Sequence, residues 1–492
     1  VLAGLFLHYA RIFADNCYHK AGMKAILVVS RGGCMKSIGR YRIQGLLGRG
    51  GMGRVYKAVL PVVDKVVALK HFHPHEHMLS LLGAEKASAL FHTEARILAR
   101  ISHPNIASLL DFDYDSEGRA FFVMEYLCMN LGSLIGETYD VETPARRLSP
   151  ERVIAYARQL LSGLDRLHQA GIIHRDIKPY NLLLTEDDQL KIIDMGLSRL
   201  RGEIRSFPDS LKIGTPFYAA PEQERAPERA DARSDLYSVG VVLWRMLTGE
   251  LPEKRDKVRR ASEIVPLLGY SWDSLLYRAI APDPSERFSD SLKMQQALDD
   301  AFAGWRRDME KACRRAPCGG DGEMDASGRR PRTRPLKVPL SEARETFGLD
   351  RLYRPAAVSP ARFEGRGDEC VLDATHGLVW QKGASPYPLS WHEAFDHIRR
   401  INEEGFSGIT GWRLPTIDEL ITLLHSFNAI GDFCQPPPFD AAKNRLWSAD
   451  RKSFTSAWMV DTDGGCVISH DRSCRFYVRA VSMLSSMNSR IM

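Results

Sequence analysis

The 492-residue chain is poor in closely spaced cysteine. Its nine Cys (Cys17, Cys34, Cys128, Cys313, Cys318, Cys370, Cys434, Cys466 and Cys474) include no CxxC spacing, which argues against a zinc site. Sparse thiols in a large chain fit a reducing compartment. Pairing among the four late Cys, in an oxidising compartment, stays open as the alternative. No run of about 18 apolar residues occurs, so nothing reads as a membrane span. Charge of one sign is scarce too: 67 Lys and Arg against 61 Asp and Glu give +6, too thin an excess to argue for a nucleic-acid partner. No internal repeat recurs at a fixed period. At 44% hydrophobic and 26% charged residues the composition is that of ordinary globular proteins. Collagen-like, disulfide-dense and wholly disordered classes are excluded. At about 150 residues per domain the length suggests about three compact units, or one large and one small.

The opening VLAGLFLHYARIF is apolar, but no basic region precedes it and Arg11 interrupts it, which argues against a signal peptide. With the thiol usage, this gives a cytoplasmic expectation. Val1 is an unusual first residue, and ordered-looking sequence begins near Tyr41. The expectation is therefore translation from Met35 or Met23, with residues 1–40 an extension outside the folded protein.

Residues 41–303 alternate strand and helix patterns. YRIQGLLG, RVYKAVL, VVALKHF and FFVMEYL read as strands. Apolar residues recur at helical spacing from His92 to Ile101, where His103-Pro104 ends the run. Asp115-Ser116-Glu117-Gly118 signals a turn. Ser149-Pro150-Glu151 opens a long helix expected to run to about His168 and end at Gly171. Strands first and helices after about residue 130 indicate a two-lobed α+β arrangement. From Trp305 to Lys337, ten Lys or Arg stand against five Asp or Glu among Gly and Pro, so residues 304–360 read as a basic flexible linker. Residues 361–492 form a second domain holding five of the eight Trp. Capping boxes there, Ser390 with Glu393 and Thr416 with Glu419, each open a helix.

Gly48-Arg49-Gly50-Gly51-Met52-Gly53-Arg54-Val55 is a GxGxxGxV loop between two strands. Such glycines let backbone N–H groups approach phosphate oxygens. A strand rather than a helix follows, so a dinucleotide-binding unit is excluded. Further motifs follow in order: Lys70 in VALK, Glu94 in FHTEARIL, His174-Arg175-Asp176-Ile177-Lys178-Pro179-Tyr180-Asn181, Asp194-Met195-Gly196 and Ala220-Pro221-Glu222. Over residues 41–303 this set resembles the eukaryotic-like bacterial Ser/Thr protein kinases.

The resemblance implies ATP and Mg²⁺ as cofactors and proteins as substrates, the kinase itself included. It assigns Lys70, oriented by Glu94, to the α- and β-phosphates, and Asn181 and Asp194 to the metal as oxygen ligands. Asp176 is the expected acceptor of the substrate hydroxyl's proton, and Lys178 the stabiliser of charge on the γ-phosphate. Gly48, Gly50, Gly51 and Gly53 cover the phosphates. Glu125 and Leu127 offer backbone groups to adenine behind Met124, with Leu47, Val55, Ala68 and Leu183 about the ring. Asp235 is expected to brace the catalytic loop, and Arg287 to pair with Glu222. Arg175 beside Asp176 implies an activation loop, Leu197 to Ile213, ordered by phosphate, with Ser206 or Ser210 as its acceptor; Thr215 is assigned to hydrogen bonds with Asp176 and Lys178. Met195 replaces the Phe usual in the family and, being apolar and flexible, fills the same slot. A pseudokinase would lack a Lys, Asp or Asn of this set, and none is missing. The competing class is a scaffold in which the kinase fold serves only as a nucleotide-gated switch.

Other patterns have plainer readings. His71, His73, His75 and His77 fall in a strand-to-helix connection where polar residues are ordinary. Asp461-Thr462-Asp463-Gly464-Gly465 reads as a strand-to-strand turn rather than a calcium loop. Arg413 reads as half of a structural ion pair. GLVWQK, SWHEAFDHI, GWRLPTIDELITLL, LWSAD, AWMVDTDGG and YVRAV, in that order, resemble the bacterial domain of unknown function that also ends collagen-like adhesins, which the resemblance relates to C-type-lectin-like α+β folds. No nucleophile, paired carboxylate or metal cluster stands out there, so its role as a recognition domain stays open between a ligand or carbohydrate sensor, a module that docks a protein partner, and a structural appendage.

Overall fold

In the computed structural model, residues 37–483 are described apart from 139–140, 196–198, 201–216, 227–228, 254–258, 316–330, 358–360, 428–431, 435–438 and 441. The start-site expectations and the activation-loop candidates Ser206, Ser210 and Thr215 lie outside the described residues.

The upper lobe is one antiparallel sheet of β1 (Ser37–Ile38), β2 (Tyr41–Arg49), β3 (Gly53–Leu60), β4 (Lys65–Phe72), β5 (Leu109–Tyr114) and β6 (Ala120–Glu125), in the order β1-β2-β3-β4-β6-β5. Residues 37–40 thus belong to the fold, with Ser37 paired to Arg42, which shortens the extension expected over 1–40. Helix α1 (Ala84–Arg100) begins eight residues before the expected His92. Its face of Ala87, Leu90, Phe91, Glu94, Ala95 and Leu98 is buried at three- and four-residue spacing. Glu94 is therefore a carboxylate on an apolar stripe, a placement that demands a partner.

The lower lobe is helical. In α2 (Pro150–Gln169) Ser149 caps the first turn, accepting from the Arg152 amide, and Gly171 beyond the end takes φ +75°. α3 (Ala232–Thr248) is buried on nearly every side, and α4 (Gly269–Ala279) packs among the same helices. β7 (Leu182–Leu184) and β8 (Leu190–Ile192) form a short hairpin at the cleft.

The expected linker is much shorter than 304–360. Helix α5 runs from Ser291 to Arg315, and residues 331–357 fold with the second domain. There Arg332 bridges Asp450 and Asp418, the Val338 amide donates to Arg451 O at 2.8 Å, and Phe347 meets Trp458 edge-on. Averaged composition hid the apolar positions Val338, Ala343, Phe347 and Leu349, all buried in one cluster. Between α5 and residue 331 stand two Arg and three acidic residues, so eight of the ten Lys and Arg between Trp305 and Lys337 belong to α5 or to residues 331–337 instead.

The C-terminal domain contains a sheet of β9 (Phe363–Arg366), β10 (Cys370–Asp373), β11 (Leu378–Gln381) and β15 (Val481–Met483), and a second of β12 (Arg445–Arg451), β13 (Ser456–Asp461) and β14 (Cys466–Asp471). Both expected capping boxes open helices, at α6 (Trp391–Glu403) and α7 (Ile417–Ile421). Arg413 forks onto buried Glu419, the expected structural pair. Asp461 accepts the amides of Asp463 and Gly464, closing the expected turn. The buried apolar cluster of the lower lobe runs on into this domain. Among the described residues no helix is long and apolar enough to cross a membrane.

Candidate active site

The cleft between the lobes gathers groups from separate segments of both. Lys70 on β4 places Nζ 2.6 Å from Glu94 Oε1 and 3.1 Å from Asp194 Oδ1. Burial works against charge on Lys70, but Asp194 and Glu94 outweigh it and raise its pKa. The carboxyl of Glu94 is pushed up to about 7 by burial, with Lys70 pulling the other way. Lys70 holds Asp194 down to about 2 against burial. Asp194 remains 43% exposed at its side chain, an ionised carboxylate open to the cleft.

Opposite stands the segment from His174 to Asn181. Asp176 Oδ2 accepts from Lys178 Nζ at 2.7 Å and from Asn181 Nδ2 at 2.9 Å. Asn181 Nδ2 also donates to Asp176 O at 2.8 Å, which commits the amide nitrogen and leaves its oxygen as the end for a cation. That oxygen and the Asp194 carboxylate are hard donors of the type a divalent ion of the Mg²⁺ class takes. The residues present therefore fit the metal that the motifs imply.

The loop is held from below. Buried Asp235 accepts from the His174 amide at 2.9 Å through Oδ2 and from the Arg175 amide at 2.8 Å through Oδ1, while His168 Nε2 lies 2.8 Å from Oδ2. Burial raises the Asp235 pKa, but the His168 and backbone hydrogen bonds bring it below the usual carboxylate range. Arg175 and Asp194 take φ +69° and +65°, a left-handed backbone that non-glycine residues hold only where surrounding contacts impose it. His168 and Gln223, whose Nε2 donates to Arg175 O at 2.9 Å, were not singled out in the sequence. His168 acts through the Asp235 carboxylate and Gln223 through a backbone carbonyl, and no motif advertises either.

At the roof, a Cβ on Gly53 would lie 2.4 Å from the His71 carbonyl, whereas one on Gly48 would meet nothing within 4 Å. Gly53 is thus required by strand pairing, and Gly48 borders open space where a ligand would approach. A Cβ on Gly51 would press on Met78, and one on Gly50 is nearly unopposed. At the back of the cleft Ala68 pairs with Met124 and Val67 with Glu125. The Glu125 carboxylate is engaged by Lys191 Nζ and the Ser108 amide, leaving its backbone for a ligand. Val55 and Leu183 are half-buried, Leu127 likewise, and Leu47 is exposed at the loop's base. Met195 is buried. Of the four histidines, His71 Nε2 lies 2.8 Å from Asp115 and His75 caps the helix after it.

Arg287 meets Glu222 through two bonds, Nη1 to Oε1 at 2.7 Å and Nη2 to Oε2 at 2.8 Å. No motif points to a further group of residues, a seam between the two lobes and the C-terminal domain. Lys57 meets Asp471, Arg152 meets Asp461 and Asp463, and Arg445 meets Asp188.

Comparison with known proteins agrees with this geometry. Residues 41–302 match the family described as the protein kinase domain, and residues 369–482 match the Lcl C-terminal domain. The serine/threonine-protein kinase pkn3 of Myxococcus xanthus is 32% identical over 364 residues, covering 68% of this chain and 59% of that protein. The serine/threonine-protein kinase PknL of Mycobacterium tuberculosis is 33% identical over 273 residues, covering 53% of this chain and 65% of that protein. The chain thus spans less than two thirds of the length of either relative. A solved PknI kinase domain from Mycobacterium tuberculosis aligns at 24% identity with a TM-score of 0.42, over 55% of this chain and 99% of that one.

Proposed function

The chain belongs to the protein kinase family, and from that premise we propose that it is a protein serine/threonine kinase using ATP and Mg²⁺. The observation that carries the reading is the Asp176–Lys178–Asn181 cluster facing the Lys70–Glu94–Asp194 cluster. Phosphoryl transfer asks for positioning and charge neutralisation rather than covalent chemistry, and these are the properties the two clusters supply.

In this reading the glycine loop and Lys70 hold the phosphates, with Glu94 fixing the ammonium. Adenine meets the backbone of Glu125 and Leu127, with Met124 behind it and Leu47, Val55, Ala68 and Leu183 at its faces. Asn181 and Asp194 hold Mg²⁺, which when bound neutralises phosphate charge. Asp176 Oδ accepts the proton of a Ser or Thr hydroxyl as its oxygen attacks the γ-phosphorus; the bond to the β-bridging oxygen breaks and ADP leaves. Lys178, already 2.7 Å from Asp176, stabilises the transferred group. Ser206 or Ser210 is the proposed activation-loop acceptor. For the C-terminal domain we propose the C-type-lectin-like relationship that its motif order implies, and a sensing or docking role.

Purified chain incubated with γ-labelled ATP and Mg²⁺ tests the reading. Transfer to itself or to a generic protein, removed by chelation and by Lys178→Met, supports it. No transfer under any condition leaves the nucleotide-gated scaffold.

A further inference from the structure

The seam between the C-terminal domain and the kinase lobes is built around one hairpin. β13 and β14 pair in register, Asp461 opposite Cys466 and Ser456 opposite Asp471. At the turn end, buried Asp461 receives Arg152 of the lower lobe, Nη1 at 3.3 Å and Nη2 at 3.1 Å, and Asp463 lies 2.9 Å from the same guanidinium. At the other end, Asp471 Oδ1 receives Lys57 Nζ of the upper lobe at 2.7 Å, and Ser473 Oγ receives it at 2.7 Å as well. Five residue steps along β14, Cys466 to Asp471, separate the ends, about 17 Å of extended strand.

What lies between these anchors is the segment joining the lobes. Lys57 Nζ sits 5.3 Å from the centre of the Tyr126 ring. The buried His470 and Cys474 of the C-terminal domain lie against Cys128 of this segment. The same segment, through Glu125 and Leu127, is where the proposed function places adenine. Lys57 itself faces Ala68 in the β3–β4 register, one strand from the proposed adenine slot.

A paired hairpin does not stretch, so lobes anchored at both of its ends cannot change their separation behind the hinge without breaking an anchor. The lower anchor is buried: the Arg152 side chain is 7% exposed and that of Asp461 is not exposed at all. The upper anchor is the weaker one, with Asp471 at 30% exposure. The spacing held by the hairpin is also the spacing at which Lys70 reaches both Glu94 and Asp194.

We propose that the β13–β14 hairpin splints the two lobes across the hinge, and that Asp471, acting through Lys57, is a positioning residue for the nucleotide. The inference rests on the kinase reading of the cleft. It makes the C-terminal domain part of what sets ATP affinity, not a separate appendage.

The test is Asp471→Asn in the full chain. Asn keeps Oδ1, which accepts the Ser473 amide and Lys57 Nζ, but removes the charge that makes the Lys57 contact an ion pair and replaces the other oxygen by NH₂. Binding of a fluorescent ADP analogue with Mg²⁺ is measured directly, so turnover is not needed. Loss of the splint lowers the fraction of chains in the binding-ready spacing, and the dissociation constant is expected to rise about five- to tenfold. KM for ATP should rise with it, while KM for a protein acceptor at saturating ATP should stay put. Exchanging the charges, Lys57→Asp with Asp471→Lys, should return nucleotide affinity to near wild type. If Asp471→Asn binds nucleotide as wild type does, or if both KM values move together with a lower melting temperature, Asp471 is only structural and the proposal fails while the kinase reading stands. If wild type binds no nucleotide, the kinase reading fails and takes the proposal with it.

Discussion

Replacing Glu222 by Gln isolates the cost of leaving one buried charge without its counter-charge. The Arg287 side chain is fully buried. Its Nε donates to Ala281 O at 2.6 Å, Nη1 to Glu222 Oε1 at 2.7 Å and Arg233 O at 3.2 Å, and Nη2 to Glu222 Oε2 at 2.8 Å and Pro282 O at 2.9 Å. Three carbonyl dipoles surround the guanidinium, and Glu222 supplies the full negative charge in direct contact. Burial raises the Glu222 pKa, but the bonds from Arg287 and Ser234 win and lower it. Gln keeps the shape, removes the charge and turns an NH₂ toward the cation. Breaking one side of a buried pair costs about 3–5 kcal/mol; with three carbonyls remaining, the lower end, about 3 kcal/mol, is expected. At roughly 2–4 °C per kcal/mol for a domain of this size, the kinase-domain melting transition should fall by about 6–12 °C. The double variant Glu222→Gln with Arg287→Met should be more stable than the sum of the single losses, because no buried charge is then stranded. Differential scanning fluorimetry reads both. A drop below about 2 °C, or strict additivity, would refute the reasoning.

Three further outcomes are expected. Lys70→Met should lower kcat by about 100-fold or more, as for loss of a charge aimed at the reacting phosphates, while far-UV circular dichroism stays native; retained turnover would contradict the assignment. Gly53→Ala sets a Cβ against the His71 carbonyl and should cost about 1–3 kcal/mol, read by urea denaturation, as overpacking does; an unchanged midpoint would show the strand gives way freely. His470 is held down to about 4, chiefly by burial and then by Arg445 and Lys452. A histidine whose pKa falls on folding contributes its full stability above the unfolded value of about 6.5 and loses it as pH drops toward 4, up to about 3 kcal/mol in total. Urea midpoints at pH 7 and pH 5 should therefore converge in His470→Gln relative to wild type, and an identical pH slope in both would sink the assignment.

The candidate-site residues were legible because the motifs set residue types at fixed spacings, and the structure brings Lys70, Glu94, Asp176, Asn181 and Asp194 into one cleft. Four of the six upper-lobe strands showed in their β-branched or alternating pattern, β1 and β5 did not, and α2 showed in Ser149-Pro150-Glu151. The missing part was of two kinds. Residues 331–357 were hidden by neighbouring Gly, Pro and Arg, because averaged composition cannot see that Val338 and Phe347 fill a core formed by Trp458, 120 positions from Val338. The seam was hidden because Lys57, Arg152 and Asp471 look like ordinary surface charges until both domains are placed. Asp461 was read as a turn residue, and it is one, yet the same carboxylate also receives Arg152.

The most direct test of the central claim is transfer of labelled phosphate from ATP by wild type and by Asp176→Asn, followed by hydrolysis and identification of the phosphoamino acids. Wild type should yield phosphoserine or phosphothreonine without phosphotyrosine. Asp176→Asn should retain Mg²⁺-dependent nucleotide binding but lose transfer by about 100-fold or more, the scale of a general base's contribution. Transfer that survives Asp176→Asn, or label found only on tyrosine, would contradict a Ser/Thr kinase built around Asp176.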